Sequence, residues 1–488
     1  MSARARIGHL FRTLNRWWLP EATPPRLLLL FIASSFFLLA TIPSILFVKY
    51  PRMHNAGMAV CIIVLFLIIF ATTFAMAKPD TDDRLRKHRR KLVFGSRIIS
   101  VLLAAGSIVM IIVMIPWLSA KSVVWVFGKI EVPPVTSDAL VVTRQANRLL
   151  LEGEDPYGQT NIIKAMEEFG GVLPTTLRQG DFAHIYPYPS QKQIDDAIAK
   201  AKATPNVRPL DLESTLSYPA GSFLFRIPFD ASGIPPQWFY LLCVVVMATV
   251  IVWRAPAYLR PVAIIGCIAS VLVWNSQLGG GTEALFILFV LLAWTLRKRP
   301  WLAGVLMGVA CSCKQTAWFF ALFYLVLMLR ETGWRKALQS VAIIGATFIV
   351  INSPFIIAHP SAWITGVLAP MIHPLFPSGI GLSSLATLSS TAVPQAMFTA
   401  LEFVVLVGAL AWYYRNCRKA PQTGLLLAII PLFFAWRSQF DYFVMIPLLV
   451  FGAILIEEYK QGHGETSDAA SRSRHEFAGI RSRSSEAI

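Results

Sequence analysis

Long apolar runs recur along almost the whole chain, and this constrains the fold more than any other feature. A helix needs about 20 residues, rising 1.5 Å each, to cross ~30 Å of hydrocarbon. Stretches approaching that length stand at 27–48 (LLLLFIASSFFLLATIPSILFV), 57–76, 95–117, 237–253, 261–275, 282–296, 301–314, 316–329, 337–357, 394–414, 422–436 and 442–457, twelve in all. Hydrophobic residues make up 55% of the 488 positions and charged ones only 15%, which excludes a soluble protein of this length. Inside a bilayer the backbone must satisfy its own hydrogen bonds, and apolar runs of this kind do so as helices. The expectation is an all-α polytopic membrane protein with about 12 transmembrane helices.

The formal net charge of +17 does not require a nucleic-acid partner, because the basic residues sit in short runs beside apolar segments. There they set topology and meet anionic membrane lipid. The same rule decides how to read 301–330, too long for one upright helix and barely long enough for two. Splitting it at Lys314 puts Arg330, Arg335, Lys336, Arg415, Arg418 and Lys419 in the cytoplasm and only Arg437 outside; a single span inverts that pattern. The split predicts a basic cytoplasmic N-terminus (1–26), three spans in 27–117, an extracytoplasmic loop (118–236), the remaining spans in 237–457 and a disordered cytoplasmic tail (458–488). The protein is expected to be multi-pass in the cell membrane. The six cysteines all avoid the long polar loop, so no disulfide framework is expected, and the C-x-C of Cys311 and Cys313 reads as packing rather than a metal site.

That loop holds most of the polar chemistry. DALVVTRQANRLLLEG (138–153) reads as a helix: Leu140, Ala146, Leu149 and Leu150 recur near a 3.6-residue period, Arg144 and Arg148 share another face, and Gly153 ends it. SQKQIDDAIAKAKATP (190–205) reads as a second amphipathic helix. Such helices, lying between spans, would roof a cavity in the membrane domain. Asp138 opens the first helix. It, or Ser137, suits an ordinary N-cap, and it equally suits a general base at the lipid–water boundary. Arg144 and Arg148 fit either a solvated face or a phosphate clamp. Lys314, alone among thirty apolar residues, is either snorkelling or neutralising a lipid-linked phosphate. Arg437 and Asp441 offer a local i, i+4 pair. His373 lies in an outward segment without lysine or arginine, Glu283 opens a span as a structural carboxylate, and the loose cluster Glu152, Glu154 and Asp155 reads as an exposed turn.

Three stretches together carry a resemblance: Asp138 at the head of DALVVTRQANRLLLEGEDPYG, STLSYPAGSFLFRIPF leading into a span, and RPWLAGVLMGVACSCKQTAWFFALFYLVL. The combination resembles polytopic GT-C glycosyltransferases, and most of all the alpha-mannosyltransferase-like branch that uses polyprenyl-phosphate sugars. Asp138, Gly153, Pro156, Tyr157, Tyr218 and Pro219 match that pattern, whereas Ala220 stands where a second proline is commonest. The likeness covers 95–457 as a hydropathy pattern, and 138–230 and 301–325 as residue motifs.

The resemblance implies transfer of mannose, or a similar hexose or pentose, from a polyprenyl-phosphate donor to a glycolipid or glycan hydroxyl, with inversion. It casts Asp138 as the base, Lys314, Arg437 and Arg144 as donor-phosphate ligands, and Tyr157, Tyr218 and His373 as cavity residues. It implies no metal and no cofactor beyond the lipid-linked donor. The competing class is a multi-span transporter or flippase, for which twelve spans is a common number. Against it, the Gly/Pro-broken helices expected at matching places in two halves are missing from the sequence.

Overall fold

The computed structural model describes residues 87–455, except 121–123, 127–129, 133–136, 171–173, 205, 384–392 and 447, together with Leu27 and Leu67. The expected spans 27–48 and 57–76, the basic N-terminus and the tail therefore lie outside the described residues. What is described is mostly helical, with two two-stranded pairings, Val124–Val126 with Ile130–Val132 and Ser378–Gly379 with Arg437–Ser438.

The chain first runs through α1 (Arg89–Ala120). The polar insert forms α2 (Asp138–Leu151), α3 (Pro156–Gln159), α4 (Ile162–Phe169), α5 (Gln191–Ala203), α6 (Gly221–Leu224) and α7 (Ile227–Ala231). Then come α8 (Gln237–Arg254), α9 (Arg260–Ile268), α10 (Val271–Leu278), α11 (Glu283–Thr295), α12 (Pro300–Cys313), α13 (Thr316–Thr332), α14 (Trp334–Ala358) and α15 (Pro360–Ile372). α16 (Gln395–Asn416), α17 (Thr423–Leu427), α18 (Ile430–Phe434) and α19 (Asp441–Val444) complete the order, with the apolar helix that begins at Asp441 continuing to Leu455.

Four described helices are long and apolar enough to cross a membrane: 89–108, 237–254, 334–358 and 395–416. The pair 257–268 and 272–278 makes a fifth if taken as one span, although it bends by 48°. The other expected spans among the described residues appear as shorter apolar helices. Where 301–330 was split, α12 stops at Cys313, Lys314 takes an extended backbone (φ −158°, ψ 143°), and α13 starts at Thr316.

Burial follows composition. α11, EALFILFVLLAWT, is apolar on every side, and a helix of that kind must be surrounded; ten of its thirteen residues are buried. α12, α13, α8 and the helix after Asp441 pack around it in one continuous core. α16 fully buries only Phe398 and Tyr413, while Leu406, Ala409 and Leu410 pack half-buried against the core.

The insert has its own core. Val141, Val142 and Ala146 of α2 meet Ile162, Ile163 and Met166 of α4, Ile194 and Ala197 of α5, and Phe355 and Val367 from α14 and α15. α2 is buried more completely than its stripe of leucines predicts, since Thr143, Gln145 and Asn147 are buried too. Its end is as expected: Gly153 takes φ +79°, and the N–H groups of Gly153 and Glu154 return to Leu150 and Leu149.

Charge holds α2 against the bundle. Arg226 is completely buried; its Nε lies 2.9 Å from Asp230 Oδ2, and its Nη1 donates to Thr143 Oγ1 (3.1 Å) and Tyr240 Oη (3.0 Å). Asn147 Nδ2 donates to the same Asp230 oxygen at 2.6 Å. Removing one partner of a buried pair strands the other, at ~3–5 kcal/mol. Arg226→Ala is therefore expected to lower the thermal midpoint in detergent sharply, and Arg226→Ala with Asp230→Ala to lower it less; calorimetry or thermofluor unfolding measures both.

Candidate active site

Ser137 and Asp138 divide the work at the start of α2. Ser137 is the N-cap: its Oγ accepts from Leu140 N (3.1 Å) and donates to the Gly280 carbonyl (2.7 Å). The cap therefore does not use the Asp138 carboxylate. Asp138 Oδ1 accepts from Ala139 N and Oδ2 from the Thr175 hydroxyl, each at 2.7 Å. The Thr175 oxygen in turn accepts from Arg437 Nη2 at 3.2 Å.

The loop that receives Ser137 runs from Ser276 to Glu283 and organises the rest. Gly280 takes φ +90°, a conformation that favours glycine, and a Cβ on Gly281 would strike Ser276 Oγ and its carbonyl. Ser276 Oγ donates to Asp441 Oδ1 at 3.1 Å. Two residues past Gly280, Thr282 Oγ1 accepts from Lys314 Nζ at 3.1 Å, and Lys314 forms an ion pair with Glu283. Lys314 Nζ also stands 5.5 Å over the Tyr218 ring. Tyr218 is within electrostatic reach of Asp138, Lys314, Glu283 and Tyr442, and Tyr442 within reach of Arg437. One end of the bundle thus gathers Asp138, Tyr218, Lys314 and Arg437, with Thr175, Glu283 and Asp441 between them.

Residues 216–436 match the family model described as glycosyltransferase family 87 (GT87). The match supports glycosyltransferase activity and a membrane enzyme of GT-C type, in line with the resemblance carried by the motifs. No curated protein and no solved structure matches the chain. The GT87 region takes in Tyr218, Glu283, Lys314 and His373 and ends one residue before Arg437; Asp138 and Thr175 lie ahead of it.

The two cations of the cluster differ. Lys314 has Glu283 as counter-ion, so one of its three N–H donors stays uncommitted after Thr282. Arg437 makes no ion pair among the described residues and donates instead to a hydroxyl. The i, i+4 pairing expected of Arg437 with Asp441 does not form, because each turns to a partner distant in sequence, Thr175 and Ser276. Glu283, read in the sequence as structural, is the lysine's partner. The sequence signal for this was one acid at the mouth of one apolar run and one base at the break of another, since neither is tolerated alone in such surroundings.

Other sequence candidates lie apart from this cluster. Arg144 stacks on Phe169, 4.5 Å from the ring centroid, and faces Asp230 at 4.0 Å, while Arg148 pairs with Glu168 at 3.1 Å. Tyr157 is buried against Phe223 and Phe355, and its hydroxyl donates to the Tyr218 carbonyl at 2.8 Å, so it supports the Tyr-Pro segment from behind. Gln315, next to Lys314, reaches the Ser217 and Val367 carbonyls at 2.7 Å each and ties the same segment to α15. Asp155 caps α3, with Tyr157 N and Gly158 N donating to it, as an ordinary turn does. Among the described residues no group of three or more His, Cys, Asp or Glu is arranged to hold a metal.

His373 fastens the insert to the segment after α15. Its Nδ1 lies 2.5 Å from Glu213 Oε2, while Arg178 N donates to the Pro374 carbonyl and Leu177 bridges to Leu375. The hydrogen bond to Glu213 raises the His373 pKa above its ordinary 6.5, against the opposing effect of burial. Burial works against the Glu213 carboxylate, yet hydrogen bonds from His373 and Thr215 outweigh it and hold the group below its ordinary 4.5. The histidine's contribution is complete below about 6.5 and is lost as pH rises through its raised value; the glutamate's is complete above about 4.5 and is lost as pH falls through its depressed value. The contact is strongest between those limits. Amide exchange in 175–178 and 375–376, corrected for intrinsic rate, is expected to be slower at about pH 6 than at about pH 8.5, and His373→Gln to abolish the difference.

Proposed function

We propose that the protein transfers a sugar, mannose or a similar hexose or pentose, from a polyprenyl-phosphate donor to the hydroxyl of a glycolipid or glycan acceptor. In this reading the complete chain crosses the cell membrane about twelve times, and the Asp138 end of the bundle faces the extracytoplasmic side. The observation that carries it is the convergence of three distant parts of the sequence: the 276–283 loop receives both Lys314 and Ser137, the neighbour of Asp138, and Thr175 links Asp138 to Arg437.

Chemically, the acceptor O–H gives its proton to the Asp138 carboxylate as its oxygen bonds to the anomeric carbon. The bond from that carbon to the donor phosphate breaks on the opposite face, so the configuration inverts and polyprenyl phosphate departs with the electron pair. Negative charge grows on that phosphate. Arg437, which has no acidic partner among the described residues, is the cation best able to meet it, and Lys314 adds its remaining donor. Fixed cations aimed at a leaving group contribute because they need no reorganisation during the step. A positioned base adds a further ~10²- to 10⁴-fold.

Asp138→Asn is expected to fold and bind donor normally but to lose ~10²-fold or more in transfer to acceptor. Unchanged turnover would remove Asp138 as the base. Movement of a labelled polyprenyl-phosphate sugar across vesicles without any transfer would favour a transporter instead. Lys314→Met alone would strand Glu283, so the donor-site test pairs it with Glu283→Gln. The charge-balanced double variant is expected to raise the donor KM and leave the acceptor KM unchanged; equal donor affinity would reduce Lys314 to a structural charge.

A further inference from the structure

Thr175 belongs to LPTTLRQG (173–180), a stretch with no feature that marks it in the sequence. In the fold it is, among the described residues, the single side chain bonded to both Asp138 and Arg437, groups 37 residues before it and 262 after it. We propose that Thr175 is the positioning residue for Asp138, fixing the rotation of the carboxylate so that its free lone pairs face the acceptor hydroxyl. The proposal rests on the reading of Asp138 as base.

A carboxylate has about four lone-pair sites on two oxygens. The backbone N–H of Ala139 holds Oδ1, but this bond lies within the helix's first turn and leaves rotation about χ2, a broad torsion, only partly restrained. The second bond, from Thr175 to Oδ2, closes that freedom. Thr175 is itself stiff at χ1, and its backbone is anchored on two sides. Its carbonyl accepts from Glu213 N at 2.7 Å, Thr176 bridges to Leu212, Leu177 N donates to the Asp211 carbonyl at 2.8 Å, and Arg178 N to that of Pro374 at 2.7 Å.

The direction of these bonds matters as well. A hydroxyl has one proton, and Thr175 gives it to Asp138 while its oxygen accepts from the Arg437 guanidinium. Accepting from a cation polarises the O–H and strengthens its donation to the carboxylate. The hydroxyls of Thr249, Thr295, Thr332 and Thr347 each bond back to a carbonyl of their own helix; Thr175 instead bonds to the proposed base and the proposed phosphate ligand. Its proton stays in place during the reaction. The acceptor proton ends on Asp138, and Thr175 sets where that oxygen points.

The test uses the full chain in detergent or nanodiscs, with tritium-labelled polyprenyl-phosphate mannose as donor and a membrane glycolipid extract as acceptor. Thr175→Val keeps the shape and removes the hydroxyl; Thr175→Ser keeps the hydroxyl. The hydrogen bond of a neutral donor to a charged acceptor predicts that Thr175→Val loses ~10- to 100-fold in kcat, with the donor KM within about twofold and the thermal midpoint unchanged, while Thr175→Ser recovers to within about threefold of wild type. A substrate-free readout accompanies it. The carboxylate stretch assigned to Asp138, by subtracting the infrared spectrum of Asp138→Asn, is expected to shift in Thr175→Val and return in Thr175→Ser. A wild-type kcat or an unshifted band in Thr175→Val, with transfer still lost in Asp138→Asn, overturns the role of Thr175 alone. Full transfer by Asp138→Asn overturns the base assignment and this proposal with it.

Discussion

The ion pair of Lys314 with Glu283 is the interaction on which the rest of the site depends. A charge surrounded by the core of an apolar bundle is too costly to stand unpaired, and the two residues meet only if the end of α12 and the start of α11 lie side by side. Their meeting puts a break in the chain at Lys314, where α12 would otherwise run on into α13. The backbone freed there is used at once: Gln315 reaches the carbonyls of Ser217 and Val367, drawing the Tyr-Pro segment and α15 onto the same end of the bundle.

The loop before Glu283 extends that arrangement outward. Within eight residues it meets Asp441 through Ser276, the cap of α2 through Gly280, and Lys314 through Thr282 and Glu283. Two of these partners, Asp441 and Lys314, come from the ends of bundle helices, and the third is the start of α2. Asp138 is therefore held against the charged cluster by its neighbour's hydroxyl, and its own carboxylate is left for other partners. The buried Arg226 and Asp230 repeat the principle further along α2, again satisfying a costly charge with groups from separate elements.

A second connection closes the insert from the far side. The segment 175–178 pairs through its backbone with 211–213 and with 374–375, and His373 joins Glu213 beside it. Backbone pairing is indifferent to side-chain identity, which is why nothing in LPTTLRQG announced Thr175. The pairing of Ser378–Gly379 with Arg437–Ser438 brings Arg437 to that edge by the same means.

Much of this was legible in the sequence. Apolar periodicity marked α2, the amphipathic pattern of 190–205 marked α5, and the positive-inside pattern placed the break at Lys314. Asp138 and Lys314 stood out because a charge beside long apolar runs needs a reason. What the sequence left open was pairing. Whether Ser137 or Asp138 capped α2, and whether Arg437 met Asp441 or something distant, depended on groups tens to hundreds of residues away. So did the separation of Arg144 from the charged cluster, since its guanidinium found Phe169 and Asp230 nearer. The sequence by itself determined a helical membrane protein with a polar insert and a few charges too costly to be idle, because burial energy and backbone satisfaction act locally and leave a periodic record. Only the tertiary structure decided which charges neutralise one another and which remain to act, because that depends on distances between segments that no local pattern encodes.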